Sequence, residues 1–157
     1  MASVLDQILD TVVTKIKALT LTGMPSASIK RLKCILDRDF PTPGIGVAVL
    51  GPEEISETGP NQKDDVIYNI VVAIKVADNQ DQAAQNEGET QFLWRQKIRR
   101  RFSNQPGGTF AFSAITEACT CTVRPLKIID EAIWATDNLL ISALVLRIQC
   151  REDRTYS

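Results

Sequence analysis

Residues 138–150 read Asn-Leu-Leu-Ile-Ser-Ala-Leu-Val-Leu-Arg-Ile-Gln-Cys. In a strand, Leu140, Leu144, Leu146, Ile148 and Cys150 share one face, and Ile141, Ala143 and Val145 make much of the other face apolar too. A strand wetted on one side alternates strictly, so a strand apolar on both faces needs two covers. In a chain of 157 residues the second cover is a helix or another subunit. Residues 66–76 repeat the pattern, with Val66, Tyr68, Ile70, Val72, Ile74 and Val76 on one face and Ile67, Val71 and Ala73 on the other. Surplus apolar β-surface therefore predicts a protein that associates.

The remaining elements follow from periodicity. Ser3 to Leu19 carries apolar residues at three- and four-residue spacing, and Ser3 with Asp6 forms a capping-box pattern. Ser28 to Leu36 reads as a short extended stretch, and Phe40-Pro41-Thr42-Pro43-Gly44 as a break. Ile45 to Leu50 reads as a strand. Glu53 to Asp65 is polar, with Gly59-Pro60 inside it, and reads as a loop. Asn79 to Phe102 reads as a second helix, loosened early by Gly88 and stopped by residues 104–108. Ala118 to Leu126 is a strand with Cys119, Cys121 and Val123 on one face, and Pro125 puts its end at a sheet edge or in a loop. Asp130 to Thr136 is a loop or a helical turn. The sum is one α+β domain over residues 1–157: a mainly antiparallel sheet of four strands with two main helices packed on it, and a frayed tail at 152–157.

Chemistry has few footholds here. The chain contains no histidine, which removes the commonest general base and zinc ligand. The cysteines Cys34, Cys119, Cys121 and Cys150 read as small apolar filler in a reduced compartment; a single Cys-x-Cys is a weak metal pattern. Asp64-Asp65 and the Asp37/Asp39 pair read as solvated turn formers. Pro43-Gly44-Ile45-Gly46 lacks the third glycine and the helix of a dinucleotide loop, and instead opens a strand. Ser113 and Ser142 have no base partner in the sequence. Trp94 and Trp134 read as core or interface anchors. These features predict no enzyme, no cofactor and no metal site. With Asp6, Asp10, Lys15 and Lys17 breaking the first apolar segment, the chain has no signal-peptide pattern and is expected to be made in a cytoplasm.

The sharpest local feature is charge separation within a net charge of only -1. Residues 51–91 hold nine acids and two bases, including Glu53, Glu54, Glu57, Asp64 and Asp65. Residues 92–101 hold five bases, Arg95, Lys97, Arg99, Arg100 and Arg101, and no acid. The bases fit three readings: a solvated helix C-terminus favoured by the macrodipole, a contact with an acidic patch on another subunit, or non-specific binding of DNA phosphates. Because Arg100 and Arg101 point away from the Arg95/Arg99 face, the charge wraps the helix.

Four stretches carry a resemblance: Asp37-Arg38-Asp39-Phe40-Pro41-Thr42-Pro43-Gly44-Ile45, then Gly59-Pro60-Asn61-Gln62-Lys63-Asp64-Asp65-Val66, then Trp94 to Phe102, and finally Asp137 to Arg147 with Cys150-Arg151-Glu152. On these the chain resembles the tail-terminator and minor tail-completion proteins of long-tailed bacteriophages. The resemblance implies a virion protein of the tail and neck region, made in the bacterial host cytoplasm. It implies a homo-oligomeric ring of about six copies, seated on the tail tube protein. Such a ring ends tube polymerisation and joins the tail to neck and connector proteins. It meets a sheath protein where the tail contracts, and genomic DNA passes non-specifically through its lumen. In that setting the basic cluster is a candidate interface or lumen lining, and the acidic loop a candidate interface. The alternatives are a neck or head-completion protein (adaptor or stopper) and a small nucleic-acid-binding module.

Overall fold

The computed structural model describes residues 3–35, 37–57, 63–77, 91–103, 119–128, 130–137 and 139–153. Helix α1 (Val4–Lys17) begins where expected. The Ser3 hydroxyl accepts from the Asp6 backbone N–H at 3.1 Å, and the Ser3 N–H donates back to the Asp6 carboxylate at 3.3 Å. This satisfies two of the donors that a helix start leaves orphaned. A 3-10 turn at Ser26–Ser28 leads to β1 (Ile29–Arg31), followed by β2 (Gly44–Val49), β3 (Glu54–Glu57) and β4 (Lys63–Ala77). Then come α2 (Gln91–Phe102), β5 (Thr120–Pro125), α3 (Glu131–Asp137) and β6 (Leu139–Asp153). Residues 79–90 of the expected second helix, the break at 104–108, Ser113 and the tail from 154 lie outside the described residues. Among the described residues no helix is long and apolar enough to cross a membrane.

The α+β class holds, but the sheet differs from the expectation of four antiparallel strands with two helices. Six strands are described, in the order β1-β2-β4-β6-β5, with β3 beside β2 on the same flank of β4. The sheet is mixed, because β1 runs parallel to β2 while every other pair is antiparallel. Three α-helices are described, the third being α3, of seven residues, where a loop or a helical turn was expected. Strand β1 falls within the stretch 28–36 expected to be extended, although its three residues are too few to show a period; the missed strand, β3, has a physical reason. Strand β3, Glu-Ile-Ser-Glu, has one apolar residue and is held by backbone pairing to residues 64–67, so the expected polar loop from Glu53 to Asp65 is largely a strand pair.

The spine is β4 against β6, paired from Lys63↔Asp153 to Ala77↔Leu139 along all 15 residues of each. On the inner face, Ile70, Val72, Ile74, Leu144, Leu146 and Ile148 pack with Ile8, Val12 and Ile16 of α1 and with Trp94, Ile98 and Phe102 of α2. Trp94 is anchored by its indole N–H, which donates to Thr22 O at 2.9 Å. Gln91 is fully buried and donates from Nε2 to Ile74 O and Leu140 O, tying the start of α2 to both spine strands.

The outer face corrects the central expectation. Ala48, Val71, Ala73, Ile141 and Ala143 do form a second apolar layer, but the chain itself covers it: Phe40 is buried there, and Leu32, Ile35 and Ile133 pack around it. The segment linking parallel β1 to β2 thus serves as the lid. It lies so close that a Cβ on Gly46 would strike Leu32 and approach the Phe40 ring at 3.3 Å, and one on Gly44 would strike Pro41 O. Lys75 fastens the lid, donating to Phe40 O at 2.9 Å with its ammonium 4.7 Å from the ring centroid. The doubly apolar strands therefore do not by themselves require a neighbouring subunit.

Candidate interaction surfaces

The five predicted basic residues do not form one surface. Arg95 is buried: its Nη1 donates to Lys127 O at 3.0 Å, Ser142 Oγ at 2.8 Å and Ala143 O at 2.6 Å. All three acceptors are neutral oxygens. Burial pulls its proton affinity down, yet an arginine stays charged. Arg95 is thus a bracket between α2 and β6 rather than an interface or lumen residue. Helical rotation explains this, since Arg95 lies beside Trp94 and one turn from Gln91 and Ile98, all buried. Lys97 and Arg101 are half-buried, and Arg101 sits near enough to Lys15 of α1 to disfavour that lysine's charge. Arg99 and Arg100 are exposed.

The predicted acidic loop is likewise divided. Glu54, on the outer face of β3, accepts from Arg147 at 3.2 Å and from Asn69 at 3.3 Å. Asp65 pairs with Arg151 at 2.9 Å. Register sets Glu57 opposite Asp64 on the alternate face positions, and Glu53 stays exposed before β3 begins. Glu54 and Asp65 thus stitch the outer face of the sheet to itself. At exposed sites such pairs contribute only about 0.2–1 kcal/mol each.

Six large hydrophobic side chains are exposed among the described residues, and they fall into two groups of three. Val49 (37% exposed), Leu50 (39%) and Ile55 (61%) stand at the flank where β2 passes into β3. The chain turns there through Gly51, whose φ of +73° suits a residue with no Cβ. Val49 pairs with Ile70 and Ile55 with Val66, so both stand on the inner-face side as a ridge, with exposed Glu53 just before β3, while Leu50, whose N–H donates to Asn69 O, and Glu54 take the alternate, outer positions. Phe92 (47%), Leu126 (46%) and Ile128 (57%) stand at the opposite edge. They line a groove of about 690 Å³ between α2 and the segment after β5, shared with Pro125 and with Arg99 from the last turn of α2. Backbone bonds from Leu126 N to Ala143 O and from Ala143 N to Lys127 O fix that segment along β6, and Arg95 supports it from below. None of these six residues was singled out from sequence. A signal was present in Pro125-Leu126-Lys127-Ile128, where apolar residues alternate beyond a proline that ends the strand, and in Phe92 heading a basic helix.

The remaining candidates are structural. Cys119 and Cys150 face each other across β5 and β6 with sulfurs 2.8 Å apart, and the hydrogen bond to Cys119, together with burial, pushes the Cys150 thiol well up. Burial pushes Cys121 up to about 12, and Cys34 is exposed. Among the described residues no group of three or more His, Cys, Asp or Glu could hold a metal ion. Asp37 accepts from the backbone N–H groups of Lys33 and Asp39, which lower its pKa, as in a solvated turn. Ser142 is fully buried and accepts from Arg95. No protein-family model matches the chain, and no curated protein matches it.

Proposed function

We propose that this chain is a structural assembly protein of a long-tailed bacteriophage: it forms a ring that caps the tail tube, ends tube polymerisation and joins the tail to the head connector. One observation carries the assembly part of the reading. The two exposed apolar patches stand at opposite edges of one sheet, and they are unlike, a ridge with exposed Glu53 beside it and a groove rimmed by Arg99. Unlike patches on opposite sides of a subunit make a head-to-tail interface, which repeats from copy to copy and closes into a ring when the rotation allows. Isolated exposed apolar residues are common, but segregation of all six into two such groups is the arrangement expected of interaction sites. The resemblance of residues 37–45, 59–66, 94–102 and 137–152 to tail-completion proteins supplies the setting. The dispersal of the basic residues argues against the nucleic-acid module, since Arg95 is internal and Arg101 lies against α1.

Electron microscopy of particles assembled without the protein tests the reading. Tails of uncontrolled length, or tails unattached to heads, are expected. Virions of normal tail length with heads joined would refute it.

A further inference from the structure

Resting on the ring reading, we propose that the groove between α2 and residues 125–128 receives the ridge of Val49 and Ile55 of a second copy of this chain. Four observations select that occupant. The groove is apolar, lined by Phe92, Leu126 and Ile128, and Arg95 beneath it already donates to three oxygens, so it offers few groups to orient a small polar ligand. The ridge is the matching surplus: Ile55 projects at 61% exposure from a four-residue strand whose chain neighbours are acids and a serine. Charge sets the pairing. Groove against groove would bring Arg99 to Arg99, and ridge against ridge would bring Glu53 to Glu53. Groove against ridge brings Arg99 to Glu53, which is exposed just before β3, while Glu54 stays with Arg147 on the other face. Geometry then makes the contact repeatable. The ridge flanks β4 on the side away from β6, and the groove lies along the opposite margin, so a copy that has given its ridge still offers its groove.

The contact also accounts for the flank of the sheet. Strand β3 is short and carries charge on either side of Ile55, features that discourage indiscriminate edge-to-edge pairing. The specificity then rests with a side chain in a groove rather than with free backbone.

A photoreactive benzophenone amino acid in place of Ile55, with mass spectrometry of the full-length purified protein, reads the contact directly. Intermolecular cross-links to peptides containing Phe92, Leu126 or Ile128 are expected. Cross-links confined to one chain, or to any other surface of a second copy, overturn the proposal. Light scattering over a concentration series to about 1 mM gives the energetics. Ile55→Asp should weaken association about tenfold to a hundredfold, the loss of one buried isoleucine. Arg99→Glu should weaken it several-fold, and adding Glu53→Arg to Arg99→Glu should recover most of that loss. Unchanged circular dichroism and denaturation midpoints show that each variant still folds. A chain monomeric at the highest concentration, or an oligomer indifferent to Ile55→Asp, refutes this contact. In the second case a ring built through other surfaces survives, and the tail-length experiment decides it separately.

Discussion

Replacing Arg95 with methionine keeps most of the stem and removes the guanidinium, which makes it a clean probe of how α2 is held. Three hydrogen bonds are lost, but not equally. Lys127 O still accepts from Ala143 N at 2.9 Å, and Ala143 O still accepts from Leu126 N at 3.3 Å. Each carbonyl therefore loses a second partner, about 0.5–1 kcal/mol apiece. Ser142 differs: it is fully buried, and its hydroxyl loses the donor it faces, at about 1–3 kcal/mol for an unsatisfied group. Relief from keeping a cation in a dry site offsets part of the sum. The net expectation is a loss of about 2–4 kcal/mol, seen as a lower urea midpoint with an unchanged m-value, or a Tm lower by roughly 5–15 °C. Ser142→Ala on the Arg95→Met background should return about 1 kcal/mol or more by deleting the orphaned hydroxyl. A loss of Arg95 below about 0.5 kcal/mol, or no recovery in the double variant, would refute the bracket.

The lid over the outer face predicts that Gly46→Ala destabilises by about 1–3 kcal/mol, because Leu32 and Phe40 must shift to admit a methyl; a neutral result in urea denaturation would show the lid to be loose. Asp6 is held near 2 against an ordinary 3.8, first by the Arg31 guanidinium at 2.8 Å and then by Ser3. Its folded form binds a proton less readily than its unfolded form, so its contribution is complete above about pH 4 and is lost as pH falls through about 2. Asp6→Asn should flatten the fall of stability across that window, and an unchanged pH profile would contradict it. An aromatic disulfide reagent should titrate one thiol quickly in the native protein, exposed Cys34, and all four in denaturant; two or more fast native thiols would contradict the burial of Cys119, Cys121 and Cys150.

Long elements were legible in the sequence because their periods repeat often enough to be unambiguous. Val4–Lys17, Lys63–Ala77 and Leu139–Asp153 appear within a few residues of expectation, and the alternation around Cys119, Cys121 and Val123 assigned the faces of β5 correctly. Short elements were less so: Ile29–Arg31 was read only as part of an extended stretch, and Glu54–Glu57 was missed, since it exists through backbone pairing to a neighbour that no local pattern announces. The candidate clusters turned out to be divided for a related reason. Charge in a linear window says nothing of helical rotation or cross-strand partners. Arg95 turned inward on α2, and Glu54 and Asp65 met arginines 93 and 86 positions away, at Arg147 and Arg151. Two-faced apolarity was read correctly as a demand for two covers, but sequence could not tell that Phe40, beyond a proline-rich break, returns to supply the second.

That second cover changes what kind of assembly this fold can join. Were the outer layer of Ala48, Val71, Ala73, Ile141 and Ala143 bare, each copy would expose a core face, and folding would depend on a neighbour. With Phe40, Leu32 and Ile133 seated on it, the subunit covers both faces of its sheet, and among the described residues six exposed large hydrophobics remain for association. Interfaces made of a few apolar anchors with a charged surround suit subunits that fold first and dock later, whereas obligate oligomers leave no stable folded monomer. On the proposed association, dilution should release monomers that keep their secondary structure, with a urea midpoint that levels off once association is gone. Loss of secondary structure on dilution to the monomer would show instead that folding and association are one step, and would return the outer face to the interface.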